Sequence, residues 1–131
     1  LMNVLEHTDS FLNLFNIALK KSKKYVLVAL PNEDNIISRF RFLFGKGILT
    51  HGLDMINKKP GHKHQWLIQY DPALKLLKKN SKKYKFDLLN TLLFIQYPKS
   101  FIKRQIYKFL MLFVPKKTQM QCFCLVFNKN I

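Results

Sequence analysis

The chain has 131 residues, of which 48% are hydrophobic, including 12 phenylalanines and five tyrosines. That length suits one domain, and that composition excludes an intrinsically disordered chain. No run approaches the roughly 18 apolar residues that a membrane-spanning helix needs. We therefore expect one soluble domain over residues 1–131.

The net charge of +16 is concentrated in the second half of the chain. Residues 1–57 carry seven basic and five acidic side chains, whereas residues 58–131 carry 16 and two. A basic half of this kind could bind nucleic acid, anionic lipid or a phosphorylated substrate. Compositional drift toward A/T-rich codons would also favour lysine, asparagine, isoleucine and phenylalanine. Charge leaves both interpretations open.

The first half of the sequence predicts two strand–helix pairs. LMNVL at 1–5 is typical of a short buried strand, and apolar residues at helical spacing over 11–18 predict a helix that ends at KKSKK. YVLVAL at 25–30 is continuously apolar, as in a parallel strand covered on both faces. A second helix is predicted by the inward stripe Ile36, Ile37, Phe40, Leu43 and Phe44, with Gly45 as its terminator.

The second half begins with a long irregular segment, 45–65, which holds all four glycines and is typical of a binding loop. WLIQY then leads to a helix over about 72–79, which Asp71 and Pro72 would start. A strand with a bulge near Asn90 is predicted over 84–97, and the last strand over 118–129. The helix between them has one apolar face: Ile102, Ile106, Phe109, Leu110 and Phe113. Because strands alternate with helices, we expect an α/β fold with a mainly parallel sheet.

The two cysteines, Cys122 and Cys124, are separated by one residue within the last predicted strand. They would point to the same face, and a disulfide between them would be strained. We therefore expect free thiols and a reducing, cytoplasmic location.

Two stretches at a characteristic spacing, "NVLEH" and "ALPN", resemble the second half of class I S-adenosylmethionine-dependent methyltransferases. In that family the fourth strand commonly ends in a D-V-L-E-H type stretch, which has Asn3 in place of the acid here, and the fifth ends in a small-apolar-Pro-Asn turn. "GHKHQWLIQYDPALKLL" is similar to bacterial members. The resemblance covers nearly the whole chain. It implies the C-terminal half of a Rossmann-like sheet, mostly parallel with an antiparallel last strand.

The resemblance also implies that part of the family's cofactor site is missing. The Gly-rich turn after the first strand and the acidic residue after the second have no counterpart in this sequence. Glycine lets the backbone approach the ligand, and the carboxylate accepts from the ribose hydroxyls. The chain therefore looks like a C-terminal fragment, and we predict that it binds S-adenosylmethionine weakly or not at all.

Site residues can be assigned by the same resemblance. Asn3, Leu5 and Glu6 would lie near S-adenosylmethionine, and His7 would act as general base toward a hydroxyl nucleophile. His7 follows the predicted fourth strand, at the carboxyl edge where open α/β sheets bind ligands. A histidine that only caps the helix or bonds to the backbone is the structural alternative.

The substrate side is predicted from the loop and the second helix. His62, His64 and Trp66 could grip a sugar or a headgroup, and Arg39 could reach an anionic group; a solvated loop with Trp66 as a core anchor is the alternative. Phe40 is expected to point inward between Arg39 and Arg41. The H-x-H spacing without cysteine or a second carboxylate pair is poor for zinc, so we expect no metal site.

The predicted function is methyl transfer to a small, saccharide-like or lipid-linked acceptor, with the chain inactive by itself. The helix over 101–114 could contact the inner face of a membrane. We favour instead a helix packed on the sheet, with Lys103, Arg104 and Lys108 outward. The alternative function is a non-catalytic basic α/β module that binds nucleic acid or an anionic membrane surface. Neither interleaved exposed aromatics nor a groove-reading motif supports nucleic acid.

Overall fold

The computed structural model of the chain describes residues 1–48, 50–51 and 63–130. A short 3₁₀ turn at Leu5–His7 precedes the regular elements. In chain order these are α1 (Phe11–Lys21), β1 (Tyr25–Pro31), α2 (Ile36–Leu43), α3 (Tyr70–Lys82), β2 (Phe86–Phe94), α4 (Phe101–Met111), α5 (Lys116–Gln119) and β3 (Cys122–Lys129). Across the described ranges, every helix falls short of the length and apolarity that crossing a membrane requires.

Three strands form one sheet in the described part of the chain, in the order β1-β3-β2. The last strand, β3, is central and runs antiparallel to both neighbours, so that Leu125 faces Val28 of β1 and Thr91 of β2. The register of β2 shifts between Leu88 and Asn90, where a bulge was expected.

The prediction of a mostly parallel, Rossmann-like sheet is therefore wrong. β1 and β2 run in the same direction, but β3 lies between them, so every ladder is antiparallel. Alternation of strands and helices fixes the order of elements along the chain, and it does not fix which strands become neighbours.

The first five residues do not form the predicted strand. Leu1 to Asn3 lie beside β1 in a parallel bridge, with Met2 opposite Ala29, and Ala29 N–H donates to Leu1 O at 2.9 Å. Asn3 then takes a positive φ of 49°, a conformation that asparagine tolerates better than most residues. The chain therefore turns into the 3₁₀ turn after one bridge.

The core lies on the face of the sheet that α1 and α3 cover. Phe123, Leu125 and Phe127 alternate along β3 and are fully buried, as the period of two predicts. The Phe127 ring packs on Phe15 of α1 at 5.6 Å, and Leu77 of α3 is also fully buried. This packing fixes the sheet against both helices.

The helix α3 is longer than the sequence predicted. It begins at Tyr70, inside the WLIQY stretch, with Gln69 as N-cap, and it ends at Lys82. Pro72 lies in its first turn, where a missing N–H costs no hydrogen bond. Asp71 is therefore a first-turn anion rather than the N-cap.

Two helices leave their apolar side chains in solvent. All residues of α2 and α4 are described, and none of them is buried. Phe40 is 54% exposed and Leu43 is 78% exposed, so the expected inward stripe of α2 is wrong. The expectation that α4 packs on the sheet is also wrong, because Ile106 is 55% exposed and Phe109 is 64% exposed.

The predicted loop 45–65 is described in part. Residues 45–48, 50–51 and 63–65 form neither helix nor strand, and Gly45 has the positive φ of 68° expected of a helix terminator. The remaining positions, 49 and 52–62, lie outside the described residues.

Candidate functional site

The carboxyl end of β1 brings three separate segments together. Residues 1–3, which lie beside β1, lead into the 3₁₀ turn that carries Glu6 and His7. The strand β1 itself leads into Asn32 and Glu33. Gln65 N–H donates to Glu6 O at 2.8 Å and His64 N–H donates to Thr50 O at 3.3 Å. The loop ends are thereby held over this edge of the sheet.

Glu33 is the centre of a hydrogen-bond network at this edge. Its carboxylate is 6% exposed and accepts from the Ile68 N–H at 2.9 Å and from the Thr50 hydroxyl at 2.5 Å. His51 Nε2 lies 2.9 Å and His64 Nδ1 2.7 Å from it. Burial by itself raises the pKa of Glu33, but these four donors outweigh it and the pKa is lowered. Glu33 is therefore ionised at neutral pH, and both imidazoles must donate to it.

His7 is fixed in one tautomer by the backbone. Its Nδ1 lies 2.7 Å from Lys63 O. A carbonyl oxygen can only accept, so Nδ1 carries the proton and, in the neutral ring, Nε2 carries a lone pair. The ring meets His64 edge-on, with the ring centroids 4.8 Å apart. His7 therefore presents a base to the space beside His64.

Glu6 is a buried carboxylate that lacks the donors Glu33 has. Its side chain is 1% exposed, and no described residue donates to Oε2. The His7 ring lies beside it, with Nε2 3.9 Å from Oε1, which is beyond hydrogen-bonding distance. Burying a carboxylate without partners is costly. Folding stability therefore does not explain a buried glutamate at this position.

A cavity of about 320 Å³ opens beside these groups. It is lined by Asn3, Glu6, His7, Thr50, His64 and Cys122, among others. Burial, followed by the nearby Cys124 and Glu6, raises the pKa of the Cys122 thiol. Cys122 is therefore a neutral thiol in this cavity at neutral pH and a poor nucleophile.

Four of the residues predicted from the sequence meet at this cavity: Asn3, Glu6, His7 and His64. Leu5, the third residue expected near the cofactor, is fully buried in the hydrophobic core instead. It contributes to the site by anchoring the turn that carries Glu6 and His7.

The other predicted substrate residues lie elsewhere. Arg39 forms a two-point ion pair with Asp34, at 2.8 and 3.0 Å, and borders a different cavity. Trp66 donates from Nε1 to Thr8 O at 2.7 Å and lines a third, largely apolar cavity of about 410 Å³. His62 lies outside the described residues.

Sequence reasoning missed Glu33 as a site residue. Glu33 follows the strand-ending "LPN" turn directly, just before the second predicted helix, where an anion is also favourable without any site. A carboxylate just after a strand that is apolar throughout is the local signal that could have drawn attention to it. Thr50 and Cys122, which also border the site, carry no local signal of this kind.

A scan against protein-family models finds no match for this chain, and a search of curated proteins finds no significant match. The relation to methyltransferases therefore remains a resemblance of short motifs.

Proposed function

We propose that this chain forms part of an S-adenosylmethionine-dependent methyltransferase, with the cavity at the carboxyl end of β1 on the acceptor side. One observation carries the proposal. His7, with a free lone pair on Nε2, and the buried carboxylate of Glu6 border the same cavity at the edge predicted from the NVLEH motif. A small, saccharide-like or lipid-linked hydroxyl compound is the acceptor class we favour.

The described residues fit one side of the cofactor. S-adenosylmethionine supplies a methyl group activated by a positively charged sulfonium. Glu6, buried and with an oxygen that no described group pairs, offers a complementary negative charge, and Asn3 borders the same space. A Gly-rich turn and a ribose-binding acid are absent from the sequence, so the proposal assigns only one side of the cofactor site to these residues.

The chain's own residues supply orientation and a base. Lys63 O holds the proton of His7 on Nδ1, which leaves Nε2 free to accept the proton of a hydroxyl acceptor. Glu33 holds His64 in the same way through Nδ1, so that the two imidazoles keep a fixed edge-on arrangement. Fixed groups of this kind favour transfer by positioning the acceptor.

Ultraviolet crosslinking with methyl-labelled S-adenosylmethionine tests this proposal. The 131-residue chain and the product that includes the coding sequence directly upstream of Leu1 are labelled in parallel. We expect labelling of the longer product, with label in the peptide that contains residues 1–7, and little labelling of the short chain. Absence of labelling in the longer product, or label confined to peptides remote from this cavity, would contradict the proposal.

A second candidate function, docking to an anionic membrane surface, is favoured by α4. The apolar stripe along α4, continued by Phe113 just past its end, is exposed along its whole length: Ile102, Ile106, Phe109, Leu110 and Phe113. By helical periodicity Arg104 and Lys108 lie on the opposite side, and Lys103 lies at the border of the stripe. Residues 88–131 contain seven basic side chains and no acidic one. An exposed apolar stripe with a basic polar face is typical of helices that lie in a membrane interface.

Vesicle flotation tests this second function. We expect the chain to float with vesicles of phosphatidylcholine and phosphatidylglycerol, less with phosphatidylcholine only, and less at high salt. The double variant Phe109→Ser, Phe113→Ser should remain at the bottom of the gradient. Ile17→Ser, which alters a 44% exposed residue of α1, is the matched control and should float as the unaltered chain does. Equal flotation of both variants would refute a role for α4.

A further inference from the structure

We propose that Glu6, His7 and His64 form a binding site for a divalent transition-metal ion, with Zn²⁺ as the ion that the ligand set suits. One ligand atom from each of the three residues lies within 4.8 Å of those of the other two. Two imidazoles and one carboxylate are the protein ligands of a common class of catalytic zinc site, which keeps a further position open.

Both histidines are held in one tautomer by a hydrogen bond from Nδ1. Lys63 O accepts from His7 Nδ1 at 2.7 Å, and Glu33 accepts from His64 Nδ1 at 2.7 Å. Each ring therefore keeps its lone pair on Nε2. Backbone carbonyls and carboxylates commonly fix metal-binding histidines in this way, and they raise the basicity of the coordinating nitrogen.

Glu6 supplies an independent observation that points to a cation. Its carboxylate is 1% exposed, it borders the cavity, and no described donor reaches Oε2. A buried carboxylate oxygen without a hydrogen bond is costly unless a cation compensates it. A metal ion between Glu6 and the two imidazoles would supply that compensation.

A second cluster of possible metal ligands is a weaker candidate for the metal site: Glu33, His51 and His64. The Glu33 oxygens already accept four hydrogen bonds, which a metal ion would have to displace. Glu33 is better placed as the outer partner that orients His64. The structure therefore favours the cluster that contains Glu6.

The geometry needs a small contraction. Zinc–nitrogen bonds of about 2.0 Å place tetrahedral ligand atoms about 3.3 Å apart, so ligand atoms that now lie up to 4.8 Å apart would move together by up to about 1.5 Å. The cavity of about 320 Å³ on their open side leaves room for a water molecule or a substrate oxygen. Such an ion would lower the pKa of a bound hydroxyl group or water.

The inference does not depend on the proposed methyl transfer. Both proposals use the Nε2 lone pair of His7, which cannot coordinate Zn²⁺ and accept a proton at the same time, so Zn²⁺ at this site would take the place of His7 as the general base. The inference concerns the 131-residue chain and a metal ion, and its test contains no S-adenosylmethionine. Failure to bind metal would leave the crosslinking experiment unaffected, and failure of crosslinking would leave the metal site unaffected.

Equilibrium competition against a chromophoric zinc chelator measures the site in chelator-stripped chain. We expect one Zn²⁺ per chain, a rise in the thermal unfolding midpoint on adding Zn²⁺, and visible absorption of tetrahedral type when Co²⁺ is added instead. Glu6→Gln keeps the shape of the side chain and should weaken Zn²⁺ binding at least about 10-fold. His7→Ala and His64→Ala should do the same.

His51→Ala is the matched control, because His51 contacts Glu33 but lies outside the proposed ligand set. It should retain Zn²⁺ binding, and circular dichroism should show that each variant keeps its helices. The proposal is overturned if the unaltered chain binds no Zn²⁺ or if Glu6→Gln binds it equally well. It is also overturned if His51→Ala abolishes binding while His7→Ala preserves it, since that result assigns the ion to the Glu33 cluster.

Discussion

The two buried glutamates at the carboxyl end of β1 have opposite environments. Glu33 accepts four hydrogen bonds, and its pKa is lowered in spite of burial. Glu6 is equally hidden from solvent but has an oxygen that no described residue pairs. Glu33 therefore stabilises the fold, whereas Glu6 is available to a ligand.

The lowered pKa of Glu33 predicts a pH-dependent stability. Its pKa is lower in the folded than in the unfolded chain, so the stabilisation is complete above the unfolded value of about 4.3. It is lost as the pH falls through the lower folded value. Glu33→Gln should cost about 2 kcal/mol of unfolding free energy at pH 7, where hydrogen bonds to a charged acceptor are lost.

Urea unfolding of both proteins between pH 7 and pH 3 measures this difference. The difference in unfolding free energy between the unaltered chain and Glu33→Gln should shrink as the pH falls into the acid range, because protonated Glu33 then resembles glutamine. Asp9→Asn, at an exposed position, serves as the control and should show a small, pH-independent difference. A gap for Glu33→Gln that stays constant over the whole range would contradict the assignment.

Among the elements, α3 and α4 use their apolar side chains in different ways. The helix α3 buries Leu77 against the sheet and leaves the adjacent Leu76 41% exposed. The helix α4, which the structure describes from end to end, buries no residue. Hydrophobic periodicity identified both helices, but it does not distinguish a helix that packs on the sheet from one whose stripe faces solvent.

Two neighbouring leucines of α3 provide a matched test of packing. Leu77→Ala removes a fully buried side chain and should lower the unfolding free energy by about 2–5 kcal/mol. Leu76→Ala should cost about 1 kcal/mol or less, because part of that side chain is already in water. Chemical denaturation of the two variants measures the difference, and equal losses would be inconsistent with this placement of α3.

For α4 we expect almost no contribution to folding stability. Phe109→Ala alters a side chain that is 64% exposed and should change the unfolding free energy by less than about 0.5 kcal/mol. Chemical denaturation without lipid checks this value. A loss of several kcal/mol would mean that α4 packs on the sheet after all, and it would weaken the case for membrane docking.

On the scale of the whole molecule, the last strand holds the sheet together. β3 supplies three fully buried side chains to the core and forms the ladders with both β1 and β2. Neither of those strands bonds to the other, since β3 separates them in the described sheet. The fold therefore depends on the final residues of the described chain.

Ending the chain after Gln121 tests this dependence. Without β3, we expect loss of the cooperative thermal transition, because β1 and β2 lose their shared partner and the core loses Phe123, Leu125 and Phe127. A chain that ends after Lys129 keeps all of β3 and should unfold cooperatively. Circular dichroism during heating measures both, and a cooperative transition in the shorter chain would disprove the central role of β3.

The sequence determined the nature of most elements and part of the site. The apolar run over 118–129 predicted the last strand, and the apolar spacing over 11–18 predicted α1, because both patterns depend on local backbone geometry. The NVLEH motif led to Glu6 and His7, and the loop led to His64. The helix α3 begins two residues before and ends three residues after the predicted range of about 72–79, because local signals at helix ends compete.

The tertiary structure decided which segments become neighbours. It placed β3 between β1 and β2, and it brought Thr50, which lines the cavity, into hydrogen-bonding contact with Glu33 across 17 residues of sequence. It also left the stripes of α2 and α4 exposed. Strand order and helix packing depend on contacts between distant residues, whereas periodicity records which face of each element is apolar. The sequence therefore predicted which face of a helix or strand is apolar, and only the tertiary structure decided what, if anything, that face packs against.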